Sequence, residues 1–220
     1  MFSLQVSEIF YLRNPHTTAL GKKMIAQAIE MIDDVGYSQF TFKKLALSIN
    51  SVEASIYRYF ENKEHMLFYL VATYWTATNF RVKFYTQMLK SHEERLFTTI
   101  DVLTGIQEAS VPGLVFDRYE ALQRIARKNY FYALTILKNK ENGEVLEKEL
   151  FRLSKEIQDH LEASIKKLAP SFTHSALMAD TIMNKGLYSR EELRSAGLPM
   201  NVEGYKQMAD FLKEVLSHLR

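Results

Sequence analysis

The hydrophobic positions of this chain repeat at helical spacing almost from end to end. Leu20, Met24, Ala28, Met31, Ile32 and Val35 share one helix face, and Gly36 suits its C-terminal stop. Phe42, Leu45, Ala46 and Ile49 then fall at i, i+3, i+4 and i+7. Val52, Ile56, Tyr59 and Phe60 follow at i, i+4, i+7 and i+8. Asn50 and Ser51 interrupt the two patterns. Asn tolerates the left-handed backbone of a sharp turn, and Ser51 can cap the helix after it. Ala46 is small where two steeply crossed helices have least room. The combination predicts a helix-turn-helix whose second helix suits a DNA major groove.

The remaining pattern is helical too. Asn62 can cap a helix from Lys63 to about Lys90, with Leu67, Leu70, Val71, Tyr74, Phe80, Phe84 and Met88 as its apolar side. Ser91 with Glu94 forms a capping box for a helix through Leu96, Ile100, Leu103 and Ile106. Ser110 to Gly113 is a break. Asp117 with Glu120 opens a helix through Tyr119, Leu122, Ile125 and Ala126 into the aromatic run Tyr130, Phe131, Tyr132, and Lys138 to Gly143 reads as a loop. Leu146, Leu150, Leu153, Ile157, Leu161, Ser164 and Leu168 keep near-heptad spacing up to Ala169-Pro170. Thr173 to Asn184 forms a further helix. Ser189 with Glu192 caps a short one closed by Gly197 and Pro199. Val202, Tyr205, Met208, Ala209, Leu212, Val215, Leu216 and Leu219 form the last. The fold class is all-α. Only the start differs: Phe2, Leu4 and Val6 alternate with polar residues up to Pro15, a weak strand signal. This segment either forms a mobile arm, bringing Arg13, Lys22 or Lys23 to DNA, or packs on its own domain.

Composition narrows the class without naming it. At 220 residues, with 47% hydrophobic and 25% charged, the chain can bury a sizeable core in one large domain or two unequal ones. A net charge of +2 announces no nucleic-acid partner. From Arg13 to Lys63 seven basic residues stand against five acidic ones, so the motif and not the charge carries the DNA reading. The absence of cysteine excludes disulfides and thiolate chemistry and makes a cytoplasmic location the expectation. The start lacks a basic region followed by an apolar core, and no apolar run reaches membrane-spanning length, so no membrane partner is expected. The six histidines are scattered without a metal-ligand pattern. Neither a Gly-rich phosphate loop nor a Gly-x-Ser-x-Gly elbow occurs, so catalytic, metal and cofactor sites are not expected.

The run SIYRYFENKEHML, preceded by a helix ending at Gly36 and by FTFKKLA, resembles the DNA-binding head of TetR-type transcriptional regulators over about Leu20 to Leu70. The resemblance implies an all-α homodimer. It has an N-terminal three-helix helix-turn-helix domain, residues 1–66, and a larger C-terminal helical bundle, residues 67–220, for effector binding and dimerisation. It makes Thr41 the cap and a backbone phosphate contact of the first motif helix, with Lys43 and Lys44 beside it. Glu53, Ala54 and Ser55 fall at the groove-facing start of the recognition helix, Tyr57 and Tyr59 on aromatic phosphate contacts, and Lys63 on the lysine opening the next helix. Ser51 and Arg58 complete the expected DNA face. Two departures stand out. Asn50-Ser51-Val52 replaces Gly, an apolar residue and Ser or Thr, which would shift the cap by one residue. Glu53 stands where relatives are often basic. Its carboxylate either accepts from cytosine N4 or is an acid favoured in a first helical turn.

In the C-terminal domain, Tyr74, Trp75, Phe116, Tyr119, Tyr130 and Tyr132 can surround an apolar effector, or serve as ordinary core. Tyr205, Met208, Leu212, Val215, Leu216 and Leu219 form an apolar face that either its own domain or a two-fold partner covers. The resemblance favours the partner. The expected partners are double-stranded DNA, a small-molecule effector and a second copy of the chain. The reading is a one-component repressor released from a near-palindromic operator by its effector. The alternative is a helical homodimeric binding module that has lost DNA binding.

Overall fold

The computed structural model describes residues 6–106, 118–140, 143–186, 194–199 and 202–218. Among these, helices are α1 (Ala19–Val35), α2 (Phe42–Ser48), α3 (Glu53–Tyr57), α4 (Lys63–Thr86), α5 (His92–Thr104), α6 (Tyr119–Lys138), α7 (Gly143–Leu168), α8 (Ser175–Gly186) and α9 (Val202–Ser217). No strand occurs among the described residues. The predicted breaks at 110–113 and the cap at Ser189 lie outside them.

The chain forms two compact units. One draws on Phe2–Thr76 and Phe116–Phe151, the other on Ala77–Val115 and Arg152–Arg220. The first therefore contains the whole helix-turn-helix region and also α6. Its core is the predicted face of α1 (Met24, Ala28 and Ile32, with Ile25 and Ile29) packed with Phe42, Leu45, Ala46, Ile49, Ile56 and Phe60, all buried. Thr18 caps α1 by accepting from the Gly21 N–H at 3.0 Å. Gly36, at φ 81°, ends it in a conformation that a side chain would strain. Gly21 is needed for another reason. A Cβ there would lie 2.2 Å from the Pro15 carbonyl oxygen, so the N-terminal segment crosses α1 too closely for any other residue.

Phe2 and Leu4 of the weak strand signal lie outside the described residues, and residues 6–18 form no strand. Residues 8–10 and 15–17 make single 3-10 turns, and the stretch packs onto its own unit. Phe10 is buried, Tyr11 meets Tyr69 edge-on at 5.9 Å, and the Leu12 N–H donates to the Tyr59 carbonyl at 2.8 Å.

Helix α6 is tied to α1 by paired charges. Arg124 donates through Nε and Nη2 to the two carboxylate oxygens of Asp33 at 2.9 and 2.7 Å. Arg118 donates through Nε and Nη2 to Glu30 Oε1 at 2.9 and 2.5 Å. Such two-pronged geometry fixes orientation as well as attraction.

In the second unit, α5, α8 and α9 pack on one another. Its core takes Leu96, Ile100 and Leu103 from α5, Leu153, Ile157, Leu161 and Ile165 from α7, and Ala179 and Ile182 from α8. Asn79 in α4 donates to the Leu153 carbonyl of α7 at 2.6 Å, and Lys213 of α9 pairs with Asp101 of α5 at 2.5 Å. Ser91 caps α5 as expected, accepting from the Glu94 N–H at 3.4 Å.

Candidate nucleic-acid interface

The turn between α2 and α3 is set by Asn50, whose φ of 54° is the one positive value at a non-glycine residue among those described. That conformation brings the Ser51 N–H to the Ala46 carbonyl at 2.9 Å and reverses the chain within three residues. The register follows from it. The cap position of α3 is Val52, with extended backbone and no side-chain capping bond, not Ser51. Ser51 is already used in closing the turn, one residue too early to cap. An uncapped N-terminus forgoes about 1 kcal/mol compared with Ser or Thr.

Val52 also departs from the core face assigned to it by periodicity: it is 65% exposed, whereas Ile56 is 1% exposed. With Asn50, Ala54, Tyr57 and Arg58 it forms the outer surface of the motif, and Ser51, Glu53 and Ser55 are half-buried beside them. Tyr57 lies edge-on to Phe42 at 5.2 Å and directs its hydroxyl to Glu53 Oε1 at 3.4 Å. The structure thus brings Glu53, Ala54, Ser55 and Tyr57 together on one short helix, with Ser51 in the turn before it and Arg58 at its end.

The α2 side matches expectation in its cap. Thr41 accepts from the Lys44 N–H at 3.2 Å, and Lys43 is exposed next to it. Lys44 reaches back to the Gln39 carbonyl at 2.8 Å, and Lys23 donates to the Ile49 carbonyl at the end of α2 at 3.0 Å. Lys63 opens α4 with its ammonium 4.8 Å from the centre of the Tyr37 ring, a cation–π contact worth about 0.5–1 kcal/mol at such a site. Burial, then Glu64, pushes the Tyr37 hydroxyl well above the ordinary tyrosine range, so the ring stays neutral under that cation.

Tyr59 requires a correction. It is 3% exposed, its hydroxyl shares a hydrogen bond with Thr18 Oγ1 at 2.7 Å, and the Arg13 guanidinium lies 5.4 Å from its ring centre. The N-terminal segment covers it, so a phosphate cannot reach it in this arrangement. Arg13, exposed above the ring, is the accessible group there.

Of the aromatic residues expected around an effector, four meet in the first unit. Tyr74 is 5.1 Å from Trp75 and 5.9 Å from Tyr119, and Trp75 is 5.4 Å from Tyr130, measured between ring centres. All four are buried. Tyr132 is not with them: two residues after Tyr130 and so on the other side of α6, it is exposed and meets Tyr37 edge-on at 5.8 Å. Phe116 lies outside the described residues.

The expected dimer face also divides. Met208, Leu212 and Leu216 are buried in the chain's own packing, because α9 lies on α5 and α8 of the same unit. Tyr205 and Val215 are half-buried, and Leu219 lies outside the described residues. The accessible apolar groups include Phe211, which the periodicity had not singled out, and Leu177 of α8, 56% and 65% exposed. Phe211, Glu214, Val215 and His218 line an open depression of about 540 Å³. Among the described residues no group of three or more histidines and carboxylates could hold a metal, and no helix is long and apolar enough to cross a membrane.

A short helix crossing another through an αL turn, with its outer face exposed, is a helix-turn-helix module of the kind that DNA-binding regulators carry. Residues 24–70 match the family described as bacterial regulatory proteins, tetR family. The chain is similar to a bacterial regulatory protein in the tetR family from Rhodococcus RHA1, at 13% identity over 90% of this chain and 95% of that one, with a TM-score of 0.65. It is similar to AibR, solved in complex with isovaleryl coenzyme A and operator DNA, at 16% identity over 88% and 96%, TM-score 0.63. It is also similar to the ketosteroid transcriptional regulator KstR2 of Mycobacterium tuberculosis, at 15% identity over 90% and 93%, TM-score 0.60. No curated protein sequence matches. Residues 24–70 thus carry the sequence of a tetR-family head, and the chain as a whole shares the fold of these regulators.

Proposed function

We propose that the protein is a one-component transcriptional repressor that binds a near-palindromic operator as a homodimer and is released by a small-molecule effector. The observation that carries this reading is the helix-turn-helix with an exposed α3 surface inside a TetR-type head. Residues 1–66 serve DNA binding and residues 67–220 effector binding and dimerisation. Thr41, Lys43, Arg58 and Lys63 meet phosphates, joined by Tyr57. Ser51, Glu53, Ala54 and Ser55 face the groove. Lys44 joins the phosphate contacts by giving up its bond to the Gln39 carbonyl.

Its partners are double-stranded DNA, an effector and a second copy. The effector lies against the aromatic side chains of the helical bundle, with Tyr74, Trp75, Tyr119 and Tyr130 as its first candidates. AibR carries both isovaleryl coenzyme A and operator DNA on a similar fold, which supports an acyl-thioester as the first class to try. Release is a population shift and requires the effector to bind the two states unequally. The half-buried carboxylate of Glu53 on a weakly basic head favours the second reading, a homodimeric binding module without DNA binding.

Selection of duplexes from a random-core DNA pool by the purified protein separates the two. An enriched inverted repeat, preferred over a scrambled control at raised salt, is the expected outcome. Sequence-blind binding that salt erases would overturn the operator reading.

A further inference from the structure

We propose that Val52 reads a base, selecting thymine in each half-site through its 5-methyl group. This inference rests on the reading of the protein as an operator-binding regulator. Val52 stands where the recognition helix takes its cap. Its backbone is extended (φ −101°, ψ 147°) and its carbonyl accepts the Ser55 N–H at 2.9 Å, yet its side chain makes no capping bond.

Neither of the ordinary uses of a side chain accounts for valine here. Ser, Thr, Asn or Asp would satisfy an amide at the helix start. Burial would reward a branched apolar group, but Val52 is 65% exposed, while the core contact of the same helix is made by Ile56. What is left is an apolar, branched, conformationally stiff group at the leading edge of the helix that enters the groove. The floor of the major groove offers such a group one apolar counterpart, the methyl of thymine. The neighbours suit close approach. Ala54 is exposed and short, and Glu53, an acceptor that phosphates repel, belongs over base edges and not over the backbone. Leu47 is as exposed as Val52 but lies on α2, the helix that crosses the backbone in such motifs.

The test uses the full chain and the duplex it selects, with each thymine in turn replaced by uracil. That change removes the methyl and leaves every hydrogen-bonding group in place. The wild type is expected to lose about three- to tenfold in affinity at one thymine per half-site, the scale of one buried methyl group. Val52→Ser and Val52→Ala are expected to bind the thymine and uracil duplexes equally. Val52→Ser should also unfold at a higher temperature, since it regains a cap, so its lost discrimination cannot come from misfolding. A selected operator in which every uracil replacement is silent, or in which Val52→Ser discriminates as the wild type does, would overturn the proposal and leave the regulator reading intact. Failure to select any duplex would overturn both.

Discussion

Asn50 holds the geometry on which the interface depends, and it does so by tolerating a backbone conformation. At φ 54° an ordinary L-residue crowds its Cβ against the following carbonyl, at a cost of about 1–2 kcal/mol. Asn lessens that cost through local polar contacts, and glycine escapes it altogether. Asn50→Ala should therefore destabilise the first unit by about 1 kcal/mol, whereas Asn50→Gly should stay within a few tenths. Urea unfolding followed by the fluorescence of Trp75, the chain's only tryptophan and a member of that unit, measures both variants. Equal stability of the two would show that the turn is not held by its αL residue. This role was legible in the sequence, because an Asn between two apolar series has few other uses. The role of Ser51 was not, since periodicity places a turn to within a residue and the cap depends on which residue closes it. Tyr59 was misassigned for a nonlocal reason: Thr18, forty-one positions away, takes its hydroxyl, and no local pattern contains that contact.

At the scale of elements, the apolar periodicities located α1, α2, α5 and α7 within a few residues of where they stand, because each buries a stripe at helical spacing. They did not reveal which elements pack together. The attachment of α6 to α1 runs through Arg118 and Arg124, charges that look like an ordinary solvated face until Glu30 and Asp33 are opposite them. Helix α9 shows the same limit. Its stripe was legible, but not that α5 and α8 would cover it. The two sides of α9 now make different predictions. Leu212, 3% exposed, is core, and Leu212→Ala should cost about 3 kcal/mol of stability. In the proposed homodimer, we place Phe211, on the exposed side of α9, at the interface, where it should act only between subunits. Phe211→Glu should convert dimer to monomer in sedimentation velocity while keeping the thermal transition. A Phe211→Glu variant that remains dimeric would move the proposed interface away from this side of α9, towards Leu177 or elsewhere.

Over the whole molecule, half-buried histidines set an acid limit that neither unit escapes. His16 and His65 in the first unit and His160 in the second all have their pKa lowered from 6.5, with burial as the leading cause in each. Lys22 adds to the effect at His16. At His65, Lys140 adds to it, while Glu61 and Glu64 oppose it. At His160 the charges of Arg95 and Lys83 act in the same direction as burial, and its Nε2 is buried without a hydrogen-bond partner. A base with a lowered folded pKa binds its proton more readily in the unfolded chain. Stability is therefore undiminished above 6.5 and falls as pH drops from 6.5 towards the depressed folded value. Carboxylates titrate lower, so a comparison between about pH 7 and about pH 5.5 isolates the imidazoles. The denaturation midpoint, followed by far-ultraviolet circular dichroism at fixed salt, should be lower at the acid value. His160→Gln, which has no proton to gain, should narrow the gap by removing one of the three contributions. A midpoint that does not change over this interval would mean that the imidazoles reach solvent in the folded protein. A His160→Gln slope equal to the wild type's would assign the acid sensitivity to the first unit alone.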